Sequence, residues 1–291
     1  MIYDVSHKTV YCYSTPVVQS QHVVRMSPRV VSHQVVKSHT LLVEPAPTIR
    51  AEREDYYGNR VVMLDIEQEH DELIVHSKST VTVTPAPEVV LGDSPAWEKV
   101  STLVAEPRPA CGLDVVLYTC ASRNTRPTVE IVDYARVSFT PERPVLDAAW
   151  DLITRIYDDF TFDATATDVS TPVTQVLKQR RGVCQDFSHL ALACLRAMRL
   201  PARYVSGYIL TRPPPGQTKL AGADASHAWI SVWSPEAGWV DFDPTNGLMP
   251  RDEHITIAYG RDYDDVSPIS GILLGGNEHS VAVGVDVLPA A

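Results

Sequence analysis

The chain is poor in cysteine, in basic charge and in long apolar runs, and each shortage removes a class of protein. Five cysteines (Cys12, Cys111, Cys120, Cys184 and Cys194) are scattered over 291 residues with no CxxC pair. That is too sparse for a disulfide framework, and the odd number leaves at least one free thiol. Lys and Arg total 25 against 36 Asp and Glu, a net charge of −11. A chain so acidic is repelled by phosphate backbones and anionic lipid, which argues against nucleic acid as a partner. No stretch approaches the roughly 18 apolar residues of a membrane span. The opening Met1-Ile2-Tyr3-Asp4-Val5-Ser6-His7 lacks the apolar block of a signal peptide. The expectation is a soluble, cytoplasmic protein without a membrane partner.

What is present is an ordinary globular balance, 44% hydrophobic and 21% charged, over a length that accommodates two domains. Residues 3–83 alternate like half-buried strands: Val5, His7, Thr9 and Tyr11 share one parity, and Val61, Met63 and Asp65 repeat the habit. Turn residues at Ser27-Pro28-Arg29, Glu44-Pro45-Ala46-Pro47 and Tyr57-Gly58-Asn59 separate the runs. An antiparallel β-sandwich buries one face of such strands. Breakers between 84 and 95 read as a linker. Helical spacing follows at Trp97–Val104, from Pro144 to Phe160, near Val173–Gln179, and best after Gly182, where Cys184, Phe187, Leu190, Ala191, Cys194 and Met198 share a stripe. Strands then return at Ala202–Leu210, His227–Trp233, Trp239–Asp243, Ile255–Ile257 and Val281–Val287, completing a second sheet. The predicted class is α+β, with a β-rich domain over 1–84, a linker with helical segments over 85–143, and a core of helices on an antiparallel sheet over 144–291.

Cys184 stands where Gly182-Val183 opens the best helix, so its sulfur meets the positive end of the helix dipole, which favours thiolate. Cys194, inside Leu190-Ala191-Leu192-Ala193, reads as a buried hydrophobe. His227 begins one strand, and the turn Ser234-Pro235-Glu236-Ala237-Gly238 leads into Trp239-Val240-Asp241-Phe242-Asp243. Antiparallel pairing about that turn brings His227 within one or two residues of the position opposite Asp243, where a carboxylate can hold an imidazole. Asp241 shares a face with Asp243 and competes for the role.

The segments Gly182-Val183-Cys184-Gln185-Asp186-Phe187, Ser206-Gly207-Tyr208, Ser226-His227-Ala228-Trp229 and Gly238-Trp239-Val240-Asp241-Phe242-Asp243-Pro244-Thr245 together resemble the bacterial transglutaminase-like superfamily. Arg25-Met26-Ser27-Pro28-Arg29 and Asp55-Tyr56-Tyr57-Gly58-Asn59 resemble its β-rich N-terminal region, and the 260–268 stretch its C-terminal tail. The resemblance implies a papain-like core with Cys184 as nucleophile, His227 as base and Asp243 as the group that orients it. It places Gln185, Asp186, Tyr208 and Trp229 about the cleft or the oxyanion, with core packing the stronger reading for the two aromatics and Gln179 a weaker candidate. The implied chemistry is attack on an amide or peptide bond through a thioester. Its outcome is hydrolysis, with acyl transfer to an amine as the alternative and a non-catalytic peptide-binding module as the alternative of another class. A peptide or protein is the expected partner.

No cofactor or metal is expected. Cys184, His189 and Cys194 stand five apart on a helix, which rotates successive side chains by about 140° and prevents convergence. Cys111 and Cys120 lack a second ligand pair. Asp262, Asp264 and Asp265 lack the glycine and closing glutamate of an EF-hand.

Overall fold

The computed structural model describes residues 1–106, 111–211 and 226–290. Its first strand, β1 (Ile2–Val24), is 23 residues long and organises the N-terminal region. β2 (Gln34–Glu44), β3 (Ile49–Glu54), β4 (Arg60–Ile66) and β5 (His70–Val83) follow in an antiparallel sheet of order β2-β5-β1-β4-β3. Pairing with β5 is regular to Cys12 and shifts before Val17. Beyond that break β1 pairs with β4. The sheet therefore curls around a core that includes Val17, Leu41, Leu64, Ile66, Leu73 and Val75. The expected parity holds at Val5, His7 and Thr9, which are buried.

Helices come next: α1 (Trp97–Val104), α2 (Leu113–Leu117), α3 (Val129–Arg136) and α4 (Val145–Asp159). Two-residue strands β6 (Thr161–Phe162) and β7 (Arg181–Gly182) pair in parallel around α5 (Val173–Gln179) and deliver the chain into α6 (Cys184–Ala197). A four-stranded antiparallel sheet of order β10-β9-β8-β11 follows, built from β8 (Ala202–Ile209), β9 (Ser226–Ser234), β10 (Gly238–Phe242) and β11 (His254–Gly260). α6 packs on β8 and β9 and is flanked by α3, α4 and α5. It is consequently buried continuously from Asp186 to Arg196, not along one stripe. Each large apolar side chain it buries, such as Phe187, Leu190 and Leu192, stabilises by about 1.5–3 kcal/mol.

The chain ends in α7 (Tyr263–Val266) and two strands, β12 (Ile269–Gly275) and β13 (His279–Pro289), that follow one another along the same edge of β1. Both strands pair with β1. The Val281–Val287 segment thus completes the N-terminal sheet and not the α6 sheet, contrary to the sequence expectation. β4 and β5 cover only one edge of the long β1, and β12 and β13, end to end, satisfy the other. Period-two alternation fixes the buried face of a strand but not the sheet it joins. No described helix is long and apolar enough to cross a membrane.

The two sheets meet at β11, whose outer edge has no strand beside it among the described residues. Amide side chains take a strand's place. Gln34 donates to the Thr256 carbonyl at 2.8 Å and accepts from the Thr256 amide at 2.8 Å. Asn59 does the same with Tyr259, both at 2.8 Å. The 25–29 and 55–59 segments hold these amides in place: Arg25 pairs with Asp55 at 3.3 Å, Arg29 donates to Tyr57 O and Asn59 Oδ1, and Asp55 Oδ1 accepts from the Tyr57 and Asn59 amides. Asn59→Ala strands the backbone polar groups of Tyr259 in a buried place and is expected to cost about 1–3 kcal/mol, read as a lower urea midpoint with unchanged slope. A shift within error shows that the amide lock carries no weight.

Candidate active site

Local sequence dictates how the thiol is held. Gly182 lies so close to α6 that a Cβ there would fall 2.6 Å from Asp186 Oδ2, so glycine is required. Asp186, the third residue of the helix, reaches back to accept from the Val183 amide at 2.8 Å and takes the Thr167 hydroxyl at 2.6 Å. That is the return half of a capping box. Burial raises its pKa, against those two hydrogen bonds. Cys184 is the first helical residue and is half-exposed, while Cys194 is fully buried and burial pushes its thiol up to about 12.

His227 is the second residue of β9. Its Nε2 donates to Asp243 Oδ2 at 2.7 Å, and Cys184 lies close enough to the ring to help raise its pKa. Because Asp243 occupies Nε2, Nδ1 is the nitrogen left for the sulfur. The hairpin register pairs Ile230 with Phe242, so Asp243 lies two residues from the position opposite His227, a diagonal pair within reach of long side chains. Asp241, its competitor, accepts instead from Trp229 Nε1 at 3.1 Å.

Asp243 is fully buried and hydrogen-bonded to saturation. Oδ1 accepts from the Thr245 and Asn246 amides at 2.9 and 3.1 Å, and Oδ2 accepts from His227, from Asn246 Nδ2 at 2.7 Å and from His254 Nε2 at 3.0 Å. Asn246 Nδ2 and His227 Nε2 stand 3.3 Å apart because both donate to that oxygen. Burial pushes the Asp243 pKa up, but the two imidazoles outweigh it and hold the group far below the ordinary carboxylate range. Burial likewise pulls His227 down, while the hydrogen bonds and charges of Asp243 and Cys184 lift it to about 10. The arrangement suits a protonated imidazole between a sulfur and a carboxylate.

The other sequence candidates divide. Gln185 donates to the Val169 carbonyl at 3.2 Å beside the thiol's helix. Asp186 is a buried helix cap, not a cleft wall. Tyr208 is also removed from that role: it is 3% exposed and its hydroxyl meets His7 Nδ1 of β1 at 2.7 Å, bolting the two sheets together. Trp229 is buried, and its ring centre lies 6.0 Å from that of His227. Gln179 is exposed at the end of α5. His189 accepts from the Tyr263 amide, and Asp262 and Asp265 cap or pair within 261–265. His254 and Asn246 escaped the sequence reading. Asn246 is three residues beyond Asp243, an Asx-turn spacing that signals it in retrospect; His254 carries no local signal. His227, Asp243 and His254 also offer three ligand atoms within 4.8 Å of one another, but the same atoms already hydrogen-bond among themselves.

The family model for the bacterial transglutaminase-like N-terminal region matches residues 3–82, and that for the transglutaminase-like superfamily matches residues 133–244. An uncharacterized protein of Mycobacterium tuberculosis is 41% identical over 99% of this chain and 92% of its own length. One from Mycobacterium leprae is 34% identical over 97% of each. A protein-glutamine gamma-glutamyltransferase of Pseudomonas aeruginosa is 34% identical over 32% of this chain and 12% of its own. The crystal structure of a candidate cysteine protease from Cytophaga hutchinsonii superposes with a TM-score of 0.73 over 100% of this chain and 92% of that one, at 20% identity, and shares the fold.

Raised above 6.5 in the fold, His227 contributes stability fully below that value and loses it as pH rises through about 10. Asp243, held below 3.8, contributes above that value and loses it as pH falls. Proton NMR is expected to find the His227 ring charged throughout the neutral range and titrating below neutrality in Asp243→Asn. A wild-type ring titrating at its ordinary value contradicts the assigned coupling.

Proposed function

Because the chain belongs to the transglutaminase-like superfamily, we propose that it is a thiol enzyme acting on amide or peptide bonds through Cys184, His227 and Asp243, with hydrolysis as the principal outcome. The single observation that carries this reading is the buried Asp243–His227 hydrogen bond of 2.7 Å, on a ring whose pKa responds to the half-exposed Cys184 at the start of α6. Two carboxylate-bound imidazoles are not unusual; one that also holds a half-exposed sulfur at a helix start is what a nucleophile–base pair requires.

In the proposed reaction the Cys184 thiolate adds to the amide carbonyl. The oxyanion is met by backbone N–H groups at the start of α6, that of Cys184 among them, which have no partner within the helix. His227 gives its Nδ1 proton to the leaving nitrogen, the C–N bond breaks, and amine departs while the acyl group stays on sulfur. Water then attacks the thioester, His227 recovers a proton from it, and the carboxylic acid is released with the thiolate restored. Asp243 remains ionised throughout and keeps Nε2 protonated, so Nδ1 always faces the sulfur. No cofactor enters these steps.

An amine in place of water gives acyl transfer with the same three residues. That reading stays second, supported by the sequence shared with the Pseudomonas aeruginosa gamma-glutamyltransferase. A peptide-binding module without catalysis is the third reading. The discriminating experiment profiles a peptide library with and without a labelled primary amine, using the wild type and Cys184→Ala. New carboxyl termini or released ammonia are expected with wild type alone, together with an acyl-enzyme mass shift on Cys184. Removing the general base in His227→Ala lowers turnover by about 10²–10⁴-fold. Amine incorporation in excess of hydrolysis reverses the first two readings, and equal inactivity of wild type and Cys184→Ala supports the third.

A further inference from the structure

The face of the β8–β11 sheet turned away from α6 carries Val205, Trp229 and Tyr259 as a small cluster of its own, with Val31 packed against it. Above it lies a cavity of about 670 Å³, closed on its other side by the 31–33 and 86–89 segments. Cys184, His227 and Asp243 are not among its lining residues. The volume falls in the range of about 300–1,000 Å³ typical of small-molecule sites.

Two residues that line this cavity carry buried polar atoms without partners. Arg203 lies with its guanidinium carbon 3.5 Å from the centre of the Tyr259 ring and 4.3 Å from that of Trp239, yet its Nε is buried and makes no hydrogen bond. No described carboxylate lies within ion-pairing distance of it. The two acids lining the cavity are engaged elsewhere: Asp241 accepts from Trp229 Nε1, and Glu88 pairs with Arg251 at 3.2 Å on the rim. The second atom is Nδ1 of His254, a residue only 4% exposed, which is buried and unpartnered. His254 Nε2 faces the Asp243 carboxylate, which only accepts, so Nε2 carries a proton; in a neutral imidazole the other nitrogen is then an acceptor. Unsatisfied buried polar atoms are rare in folded proteins and call for an explanation. Here one is a cationic donor and the other an acceptor, set among the apolar surfaces of Trp229, Trp239, Val89 and Met249.

We propose that this cavity is a second binding site, separate from the thiol, for a small carboxylic acid that carries an N–H or O–H donor and an apolar body. N-acylated hydrophobic amino acids are of this class. The carboxylate goes to Arg203, the one lining cation without an acidic partner among the described residues, and away from Asp241. The donor goes to His254 Nδ1, and the apolar body lies on the tryptophans. An occupant is then one imidazole away from the carboxylate that holds His227, because His254 spans the two. The site itself does not require that the thiol be catalytic.

The test is a titration of the full chain with N-acetyl-L-phenylalanine, followed by tryptophan fluorescence and by calorimetry, beside its neutral counterpart N-acetyl-L-phenylalaninamide. Saturable binding is expected, about tenfold or more weaker for the neutral compound and for Arg203→Met, as befits loss of a charge-assisted contact. Binding to Cys184→Ala is expected to match that of the wild type. Absence of saturation, equal affinity for the two compounds, or indifference to Arg203→Met overturns the proposal. Loss of binding in Cys184→Ala also overturns it, by assigning the probe to the thiol's own cleft. The comparison of the two compounds needs no variant, so an Arg203→Met protein that fails to fold leaves the proposal falsifiable.

Discussion

The buried carboxylate of Asp243 is the constraint around which the site is built. An anion withdrawn from water costs several kcal/mol unless its lone pairs are occupied. Here two backbone amides take one oxygen, and His227, His254 and Asn246 take the other. The same bonds close the 243–248 turn, tie β11 to the β9–β10 hairpin, and fix which imidazole nitrogen of His227 is free. The geometry of the candidate site and the local folding are therefore one hydrogen-bonded unit. A change at Asp243 acts on both, so its effect on activity has to be separated from its effect on stability.

The N-terminal sheet is as much a part of that geometry as the core. β11 carries His254, and its outer edge is satisfied by the side-chain amides of Gln34 and Asn59 in place of a fifth strand. The hydrogen bond from Tyr208 to His7 ties β8 to β1 in the same way. The C-terminal strands then return to pair with β1. The two sheets are joined by that return of the chain and by buried polar contacts, an arrangement that suits a rigid mounting for the thiol better than a loosely tethered accessory.

Sequence reasoning reached what local pattern and turn arithmetic can reach. The position of Cys184 at the start of α6 follows from Gly182 and the helical period after it. The diagonal relation of His227 to Asp243 follows from where the 234–238 turn falls. Parity could not choose between Asp241 and Asp243, because both point to one face; the resemblance chose Asp243, and in the fold Asp241 has a partner of its own in Trp229 Nε1. His254 was out of reach because it comes to Asp243 only through the placement of β11, which no local signal encodes. Asp186 differs for another reason. An acid three residues after Val183 is a helix-capping signal as well as a polar neighbour of the thiol, and in the fold it is the cap. The β13 segment was assigned to the wrong sheet because alternation is the same in either.

The central claim is that the sulfur of Cys184, the ring of His227 and the carboxylate of Asp243 act as one coupled group. Its most direct measurement is the rate of alkylation by iodoacetamide at neutral pH, resolved by peptide mass mapping, in the wild type and in His227→Ala and Asp243→Asn. The account predicts that Cys184 reacts far faster than the buried Cys194 and that either replacement slows it markedly. Equally slow labelling of the two thiols, or a Cys184 rate indifferent to both replacements, contradicts it.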